Sequence, residues 1–176
     1  LNTVVAQQTK TLGLDHPDTC YSRNFLAQAL ESSGQLDEAE AIYRDLLERR
    51  TRTQGPRHRE TITLMNNLAK IIGDRGQLDE AESLYRDALA LSTEVKGPEH
   101  PDTLNTMNNL GSLLNTRSKF DESLEILTAA VEKLERTMGP DQHMTIAANL
   151  NRALTLKNLG RFDEAEPVEK ALVEAT

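Results

Sequence analysis

The chain has 176 residues, of which 38% are hydrophobic and 3% aromatic, with no tryptophan. This composition is poor in the large side chains that one globular core requires, and it favours many small apolar contacts along a helical body. The formal net charge of −8 excludes a general binder of nucleic acid or anionic membranes, because such proteins need a basic face.

The only cysteine is Cys20, which excludes an intramolecular disulfide and a cysteine metal cluster. A buried structural thiol is the simplest interpretation. No apolar run approaches the 18 residues of a membrane span, and no leader segment is recognisable. We therefore expect a soluble protein in a reducing, cytoplasmic compartment.

Three sequence patterns recur with one period of 42 residues, which predicts stacked structural repeats and excludes disorder. Each pattern contains one position or pair per repeat: Gly13, Gly55, Gly97 and Gly139; Thr19, Thr61, Thr103 and Thr145; Asp37-Glu38, Asp79-Glu80, Asp121-Glu122 and Asp163-Glu164. The register predicts a single solenoid domain over residues 1–176 with repeats at 13–54, 55–96, 97–138 and 139–176.

The first twelve residues align with the second half of the second helix of a repeat. Leu1 falls opposite Tyr43, and Val4 and Val5 fall opposite Leu46 and Leu47. We expect an exposed apolar edge there that an earlier repeat would cover. We therefore interpret the chain as part of a longer array.

Each complete repeat contains two predicted helices, helix A and helix B. In the second repeat, helix A has apolar residues at i, i+3, i+4 and i+7 from Met65 and ends near Gly76. The third repeat has Ser118 in place of that glycine, so we expect a slightly strained turn there. Helix B opens on the Asp-Glu pair, whose charges complement the helix dipole. A linker containing glycine and proline then separates it from the next helix A.

The fourth repeat departs from this pattern. Arg152 occupies a position that holds leucine in the second and third repeats, and Glu169 occupies the aromatic position of helix B. We expect this repeat to bury less of its outer surface and to act as a cap.

These patterns resemble the tetratricopeptide repeat family. The residues that carry the resemblance are Met65, Leu68, Ala69, Ile72, Ala81, Tyr85 and Ala88 in the second repeat, and Met107, Leu110, Gly111, Leu114, Ser123, Leu127 and Ala130 in the third. The 42-residue period and the G-P-x-H-P-x-T linker are similar to the kinesin light chain variety. The resemblance implies an all-α, right-handed superhelical solenoid of antiparallel helix pairs. It also implies a protein or peptide as the partner, no catalytic residues and no cofactor.

In this family helix A lines the concave surface, so the resemblance implies that its polar positions face a ligand. Asparagines at such positions of related arrays contact the backbone of bound peptides, which suits a side chain that both donates and accepts hydrogen bonds. The peptide-binding residues expected here are Asn24, Asn66, Asn67, Lys70, Asn105, Asn108, Asn109 and Asn151. Phe25 replaces the asparagine equivalent to Asn67 in the first repeat. The alternative is that these amides bond neighbouring helices and hold the superhelix in shape.

Two further groups of residues can be interpreted either as structural or as ligand-binding. The arginines at the end of helix B of the first repeat and in the linker after it form either a solvated rim or a site for an acidic or phosphorylated partner segment: Arg49, Arg50, Arg52, Arg57 and Arg59. His16, His58 and His100 recur once per repeat, which separates them too far for one metal ion, so we interpret them as turn residues and expect no metal site.

The leading hypothesis is a protein interaction scaffold that binds an extended peptide, and no enzyme activity is expected. The alternative is a spacer or self-associating array within a larger signalling protein, motivated by the apolar residues at the start of the chain.

Overall fold

The computed structural model describes the backbone of residues 2–174 and the side chains of residues 2–170. Within that part of the chain the fold is all-α, with nine helices and no strand. The helices are α1 (Asn2–Leu12), α2 (Pro17–Ser32), α3 (Leu36–Gln54), α4 (Arg59–Asp74), α5 (Leu78–Lys96), α6 (Pro101–Thr116), α7 (Phe120–Met138), α8 (His143–Asn158) and α9 (Phe162–Glu174). The A helices α2, α4, α6 and α8 have 16 residues each, and the B helices α3, α5 and α7 have 19.

The chain divides into two compact units, and the boundary between Leu84 and Tyr85 falls inside α5. In the first unit α1 packs on α2, α2 on α3 and α3 on α4. In the second unit α6 packs on α7, α7 on α8 and α8 on α9, and the A helices α6 and α8 also contact each other. Because short turns join successive helices, each unit consists of antiparallel neighbours.

The repeated histidines cap the A helices, which confirms their interpretation as turn residues. The Nδ1 atoms of His16, His58 and His100 accept hydrogen bonds from the backbone N–H two residues later, at 3.2, 3.3 and 3.1 Å. Each bond satisfies an N–H that the first turn of a helix leaves without a partner. The three A helices therefore start in the same register.

In two of the repeats, the repeated threonine and glycine are linked by a hydrogen bond across the turn before helix A. Thr61 Oγ1 donates to the carbonyl of Gly55 at 2.9 Å, and Thr145 Oγ1 donates to that of Gly139 at 2.8 Å. These threonines are fully buried. In α4 and α8, two of the three 42-residue patterns thus contribute to one turn before helix A.

The turn after α6 has the strain expected from its sequence. Gly34, Gly76 and Gly160 follow the other A helices with φ of +78, +83 and +73°, and Ser118 adopts +59° at the equivalent position. Ser118 is the only non-glycine residue with positive φ in residues 2–174. A left-handed backbone costs a residue with a Cβ roughly 1 kcal/mol.

Replacing Ser118 by glycine is expected to raise the free energy of unfolding by about 0.5 to 1 kcal/mol, since glycine relieves this strain at some entropic cost. Urea denaturation followed by far-UV circular dichroism measures the change. The matched control is Gly76→Ser, which should lower the stability by introducing the same strain. A neutral or destabilising Ser118→Gly would contradict this account of the turn.

The fourth repeat buries less than the inner ones, as its sequence predicts. Leu68 and Leu110 are 3% and 1% exposed, whereas Arg152 at the equivalent position is only half-buried. Phe162, at the start of α9, is 62% exposed. At the other end α1 has no buried residue, and Val4 is exposed while Val5 is half-buried. Leu1, which was expected to share that edge, lies outside the described residues.

Candidate peptide-binding face

One stripe of each A helix carries the polar positions singled out in the sequence. We define the A-helix face as Thr63, Asn66, Asn67 and Lys70 of α4, together with the positions of α2, α6 and α8 that lie a multiple of 42 residues away. Their i, i+3, i+4 and i+7 spacing places them along one side of a helix. The common start of the A helices sets this stripe in the same register in every repeat.

In the first unit the amides of the face differ in burial. Asn66 is buried, whereas Asn24 and Asn67 are half-buried. The Oδ1 atom of Asn24 is shielded from solvent and accepts no hydrogen bond from the described residues. A buried amide oxygen without a donor is unfavourable by roughly 1–3 kcal/mol.

Lys70, the remaining predicted residue of this unit, is exposed but has a partner. Its Nζ atom forms an ion pair with the Oε1 atom of Glu31, which joins the C-terminal part of α4 to that of α2. Asp74 interacts electrostatically with both residues. A ligand that contacts Lys70 therefore meets a small charged cluster that contains two carboxylates.

In the second unit, two amide pairs join the A helices α6 and α8. Asn151 Nδ2 donates to Asn108 Oδ1 at 2.9 Å, and Asn158 Nδ2 donates to Asn115 Oδ1 at 3.0 Å. We call these four residues the amide ladder. Its two rungs lie seven residues apart on each helix, which is two helical turns. The structure thus brings the predicted residues Asn108 and Asn151 together as partners of each other.

The other predicted residues of this unit lie beside the ladder. Asn105 and Asn109 are both half-buried on α6. Asn158 was absent from the predicted set, although its 43-residue spacing from Asn115 is the same as that between the two predicted members of the ladder. That shared spacing is the sequence signal that could have identified it.

Apolar side chains also lie on or next to the A-helix face, and the predicted site did not include them. On α2, Tyr21 and Phe25 are 65% and 42% exposed, and their rings meet edge to face with centroids 4.6 Å apart. On α8, Leu150 and Leu154 are 53% and 49% exposed. Phe25 occupies the position of Asn67, so its departure from the repeat pattern was the signal of this difference.

The arginines predicted as a rim interact within the chain itself. Arg49 contacts Asp45 at 2.8 Å and Asp15 at 2.9 Å, and Arg52 contacts Asp15 at 3.3 Å. Arg50, which is buried, contacts Glu60 at 3.2 Å. The other two residues also have partners in the chain and are exposed at the end of the linker and the start of α4: Arg57 and Arg59. Much of the positive charge of this segment is therefore offset by nearby carboxylates.

A second ion-pair group holds α3 against the C-terminal end of α4. Glu40, on α3, is 7% exposed. Its Oε1 atom accepts from Arg44 Nε at 2.8 Å, and its Oε2 atom accepts from Arg75 Nη1. Burial acts to raise the pKa of Glu40, but the hydrogen bonds and charges of the two arginines outweigh it and leave this pKa below its ordinary value.

The pKa of Glu40 is lower in the folded state than its ordinary value of 4.5. The ionised carboxylate therefore stabilises the fold at pH values above that ordinary pKa, and this contribution is lost as the pH falls. Glu40→Gln is therefore expected to lower the urea midpoint at pH 7, with a difference from wild type that shrinks as the pH approaches about 3. Glu48→Gln, an exposed carboxylate of the same helix, is the control. A difference that stays constant across this pH range would contradict the assignment.

The described part of the chain shows no sign of a membrane span or a metal centre. None of its helices is both long and apolar enough to cross a bilayer. Among the described residues, no three His, Cys, Asp or Glu side chains lie together in a way that would hold a metal ion.

Comparison with solved structures shows the fold. The chain is 24% identical to the TPR-like repeats of a Podosopora anserina protein described as a putative kinesin light chain, with a TM-score of 0.79, or 0.82 for a point variant of that protein. In both comparisons the match covers 99% of this chain and 82% of the other. BtubC (BKLC) from P. vanneervenii is 22% identical with a TM-score of 0.81, over 91% of this chain and 64% of that protein. At these identities the likeness is one of fold.

Comparison of the sequence alone gives the family. No curated protein matches it significantly. The tetratricopeptide repeat family, however, matches residues 22–71, 60–132 and 108–175, which together span most of the chain. The chain therefore belongs to the tetratricopeptide repeat family, whose arrays are non-catalytic scaffolds that bind other proteins or peptides.

Proposed function

We propose that the chain binds an extended peptide segment of a partner protein on the A-helix face of one or the other of its two units. The observation that carries the proposal is a single register position, which holds a half-buried asparagine in three of the four A helices: Asn67, Asn109 and Asn151. An amide at the edge of solvent both donates and accepts hydrogen bonds, as a peptide backbone requires.

The two rows of amides on the face have different roles in this proposal. The inner row, represented by Asn66 and Asn108, is buried at 9% and 8% exposure. Asn108 is already bonded to Asn151, so the inner row mainly holds the A helices together. The outer row contacts the ligand: in the first unit this is Asn67, flanked by Lys70, and in the second unit it is Asn109, flanked by Asn105. Asn151 belongs to both, because its Oδ1 atom remains an acceptor after Nδ2 is used in the ladder.

The experiment is a selection of random dodecapeptides on the full chain, followed by affinity measurements with the peptides obtained. The double variant Asn67→Ala/Asn109→Ala removes the outer-row amide of α4 in the first unit and of α6 in the second. It should weaken binding by about tenfold or more, which corresponds to losing the two hydrogen bonds that one amide can make by donating and accepting. Its melting temperature should remain that of the wild type. Peptides that bind the double variant as tightly as the wild type would refute the proposal.

The alternative function is a spacer or self-associating array. It is favoured by the apolar side chain of Val4, which is 49% exposed. Exposed apolar side chains at a repeat edge are suited to pack on a second array. Light scattering across a range of protein concentrations tests this alternative. A mass that rises with concentration and falls after Val4→Ser supports it, whereas a constant monomeric mass eliminates self-association.

The proposal includes a reducing, cytoplasmic location. Cys20 is 4% exposed, and its Sγ atom donates to the carbonyl of Leu14 at 3.2 Å. Burial raises the pKa of this thiol even though Arg50 and Arg23 act in the opposite direction. A buried, protonated thiol has a packing role and needs no oxidising compartment.

A further inference from the structure

The A-helix face of α2, in the first repeat, has a different character from the asparagine positions that define the proposed peptide site. At the register position of Phe25, the other A helices carry Asn67, Asn109 and Asn151, all half-buried. This register position is thus not fully buried in any of the four A helices, and the exposure of Phe25 follows from its place on the helix. An aromatic side chain placed there presents apolar area where the other repeats present an amide.

The apolar area of α2 consists of two rings that support each other. Tyr21 and Phe25 lie one turn apart and meet edge to face. A ligand residue at this point could bury an apolar side chain against the two exposed rings.

The opposite end of the same stripe is negative. Glu31, in the last turn of α2, and Asp74, at the end of α4, share one lysine between them, Lys70. The net charge of this cluster is −1, and both helix C-termini add partial negative charge. The side chain of Glu31 is 18% exposed, so a cation that reaches it would be partly shielded from water.

We infer, on the basis of the proposed peptide-binding function, that the first unit selects a partner segment with an apolar residue followed or preceded by an arginine or lysine. The apolar side chain packs on Tyr21 and Phe25, and the cation lies against Glu31 and Asp74. The acidity of the whole chain, with a formal net charge of −8, would steer a basic partner segment towards it.

The spacing of the two ligand residues follows from helix and strand geometry. Glu31 is six residues beyond Phe25 and eight beyond the middle of the aromatic pair, which corresponds to roughly 9 to 12 Å along α2. An extended peptide rises about 3.3 Å per residue, so the apolar and basic residues should be three or four positions apart. The direction of the peptide is left open, so both orders need to be tested.

The test uses fluorescein-labelled peptides with Gly-Ser flanks around Phe-Ser-Ala-Arg or Arg-Ser-Ala-Phe, titrated with the full chain and followed by fluorescence anisotropy. At least one order should bind, and changing its Arg to Glu or its Phe to Ser should weaken binding about tenfold or more. Binding should also weaken in Phe25→Asn, which restores the residue of the other repeats, and in Glu31→Gln/Asp74→Asn.

One control and one additional variant keep the result specific to the aromatic pair. Phe162→Ser removes an exposed aromatic residue of the B helix α9, outside the A-helix face, and should leave binding unchanged. Tyr21→Ser provides a second test of the aromatic pair if Phe25→Asn alters the fold, as judged by circular dichroism.

The inference is overturned if the peptide with Glu in place of Arg binds as tightly, or if none of the aromatic-pair and carboxylate variants changes the affinity. If these peptides do not bind but peptides of another composition bind in a manner that depends on Asn67 and Asn109, only this inference fails. If no peptide from either set binds, the proposed function fails with it.

Discussion

Replacing Leu127 by alanine is expected to lower the free energy of unfolding by about 3 kcal/mol, within the usual range for a fully buried leucine. Leu127 is 0% exposed in α7 and lies against α6 at Gly111. Truncation leaves a cavity that the two helices cannot close without moving. Urea denaturation followed by circular dichroism measures the loss, and an unchanged midpoint would contradict the packing described here.

The same contact predicts that Gly111→Ala lowers the stability of the wild type but raises that of the Leu127→Ala variant. A Cβ on Gly111 would lie 2.5 Å from Cγ of Leu127, which forces the leucine to shift. In the wild type the overpacking cost of about 1–3 kcal/mol should exceed the gain in helix propensity of about 1 kcal/mol. In the Leu127→Ala background the clash is absent, so the same change should stabilise. The same sign in both backgrounds would show that the contact does not decide the effect.

The second large effect is expected at the amide ladder. Asn151→Ala removes the donor to Asn108 Oδ1 and leaves a buried acceptor without a partner, which should cost about 1–3 kcal/mol. Asn108→Leu/Asn151→Leu removes both polar groups and should be much closer to wild type. The position equivalent to Asn108 in the fourth repeat is already a leucine, Leu150.

A matched control for the ladder is Asn105→Ala, which truncates a half-buried amide on the same helix outside the ladder. It should change the urea midpoint much less than Asn151→Ala does. If Asn151→Ala and Asn105→Ala had equal small effects, the ladder would not be holding α6 and α8 together.

The sequence was sufficient to predict the fold because its repeat positions encode local structure. Gly76 predicted the end of a helix that closes at Asp74, and the serine at position 118 predicted a strained turn that has φ of +59°. Such features depend on the conformation of a few adjacent residues, which composition and spacing specify directly.

The contacts of the candidate site could be predicted only in part. All predicted asparagines lie on A helices, but whether an amide meets solvent or another amide depends on the rotation and distance between successive A helices. That geometry decides that Asn108 accepts from Asn151. In the same way, the packing of α3 on α2 decides that Arg49 finds Asp15, 34 residues earlier in the chain. The mutual packing of Tyr21 and Phe25 likewise depends on side-chain rotamers, which an apolar pattern does not specify.

The central claim, that the A-helix face carries the ligand, is tested most directly by photo-crosslinking. A benzophenone amino acid is introduced at Thr63, an exposed position of the face on α4, or at Glu48, an exposed position of the B helix α3. Each protein is irradiated with the tightest peptide from the random selection. We predict a crosslink from position 63 that unlabelled peptide suppresses, and none from position 48. A suppressible crosslink from position 48 alone would contradict the account and place the ligand on the B helices.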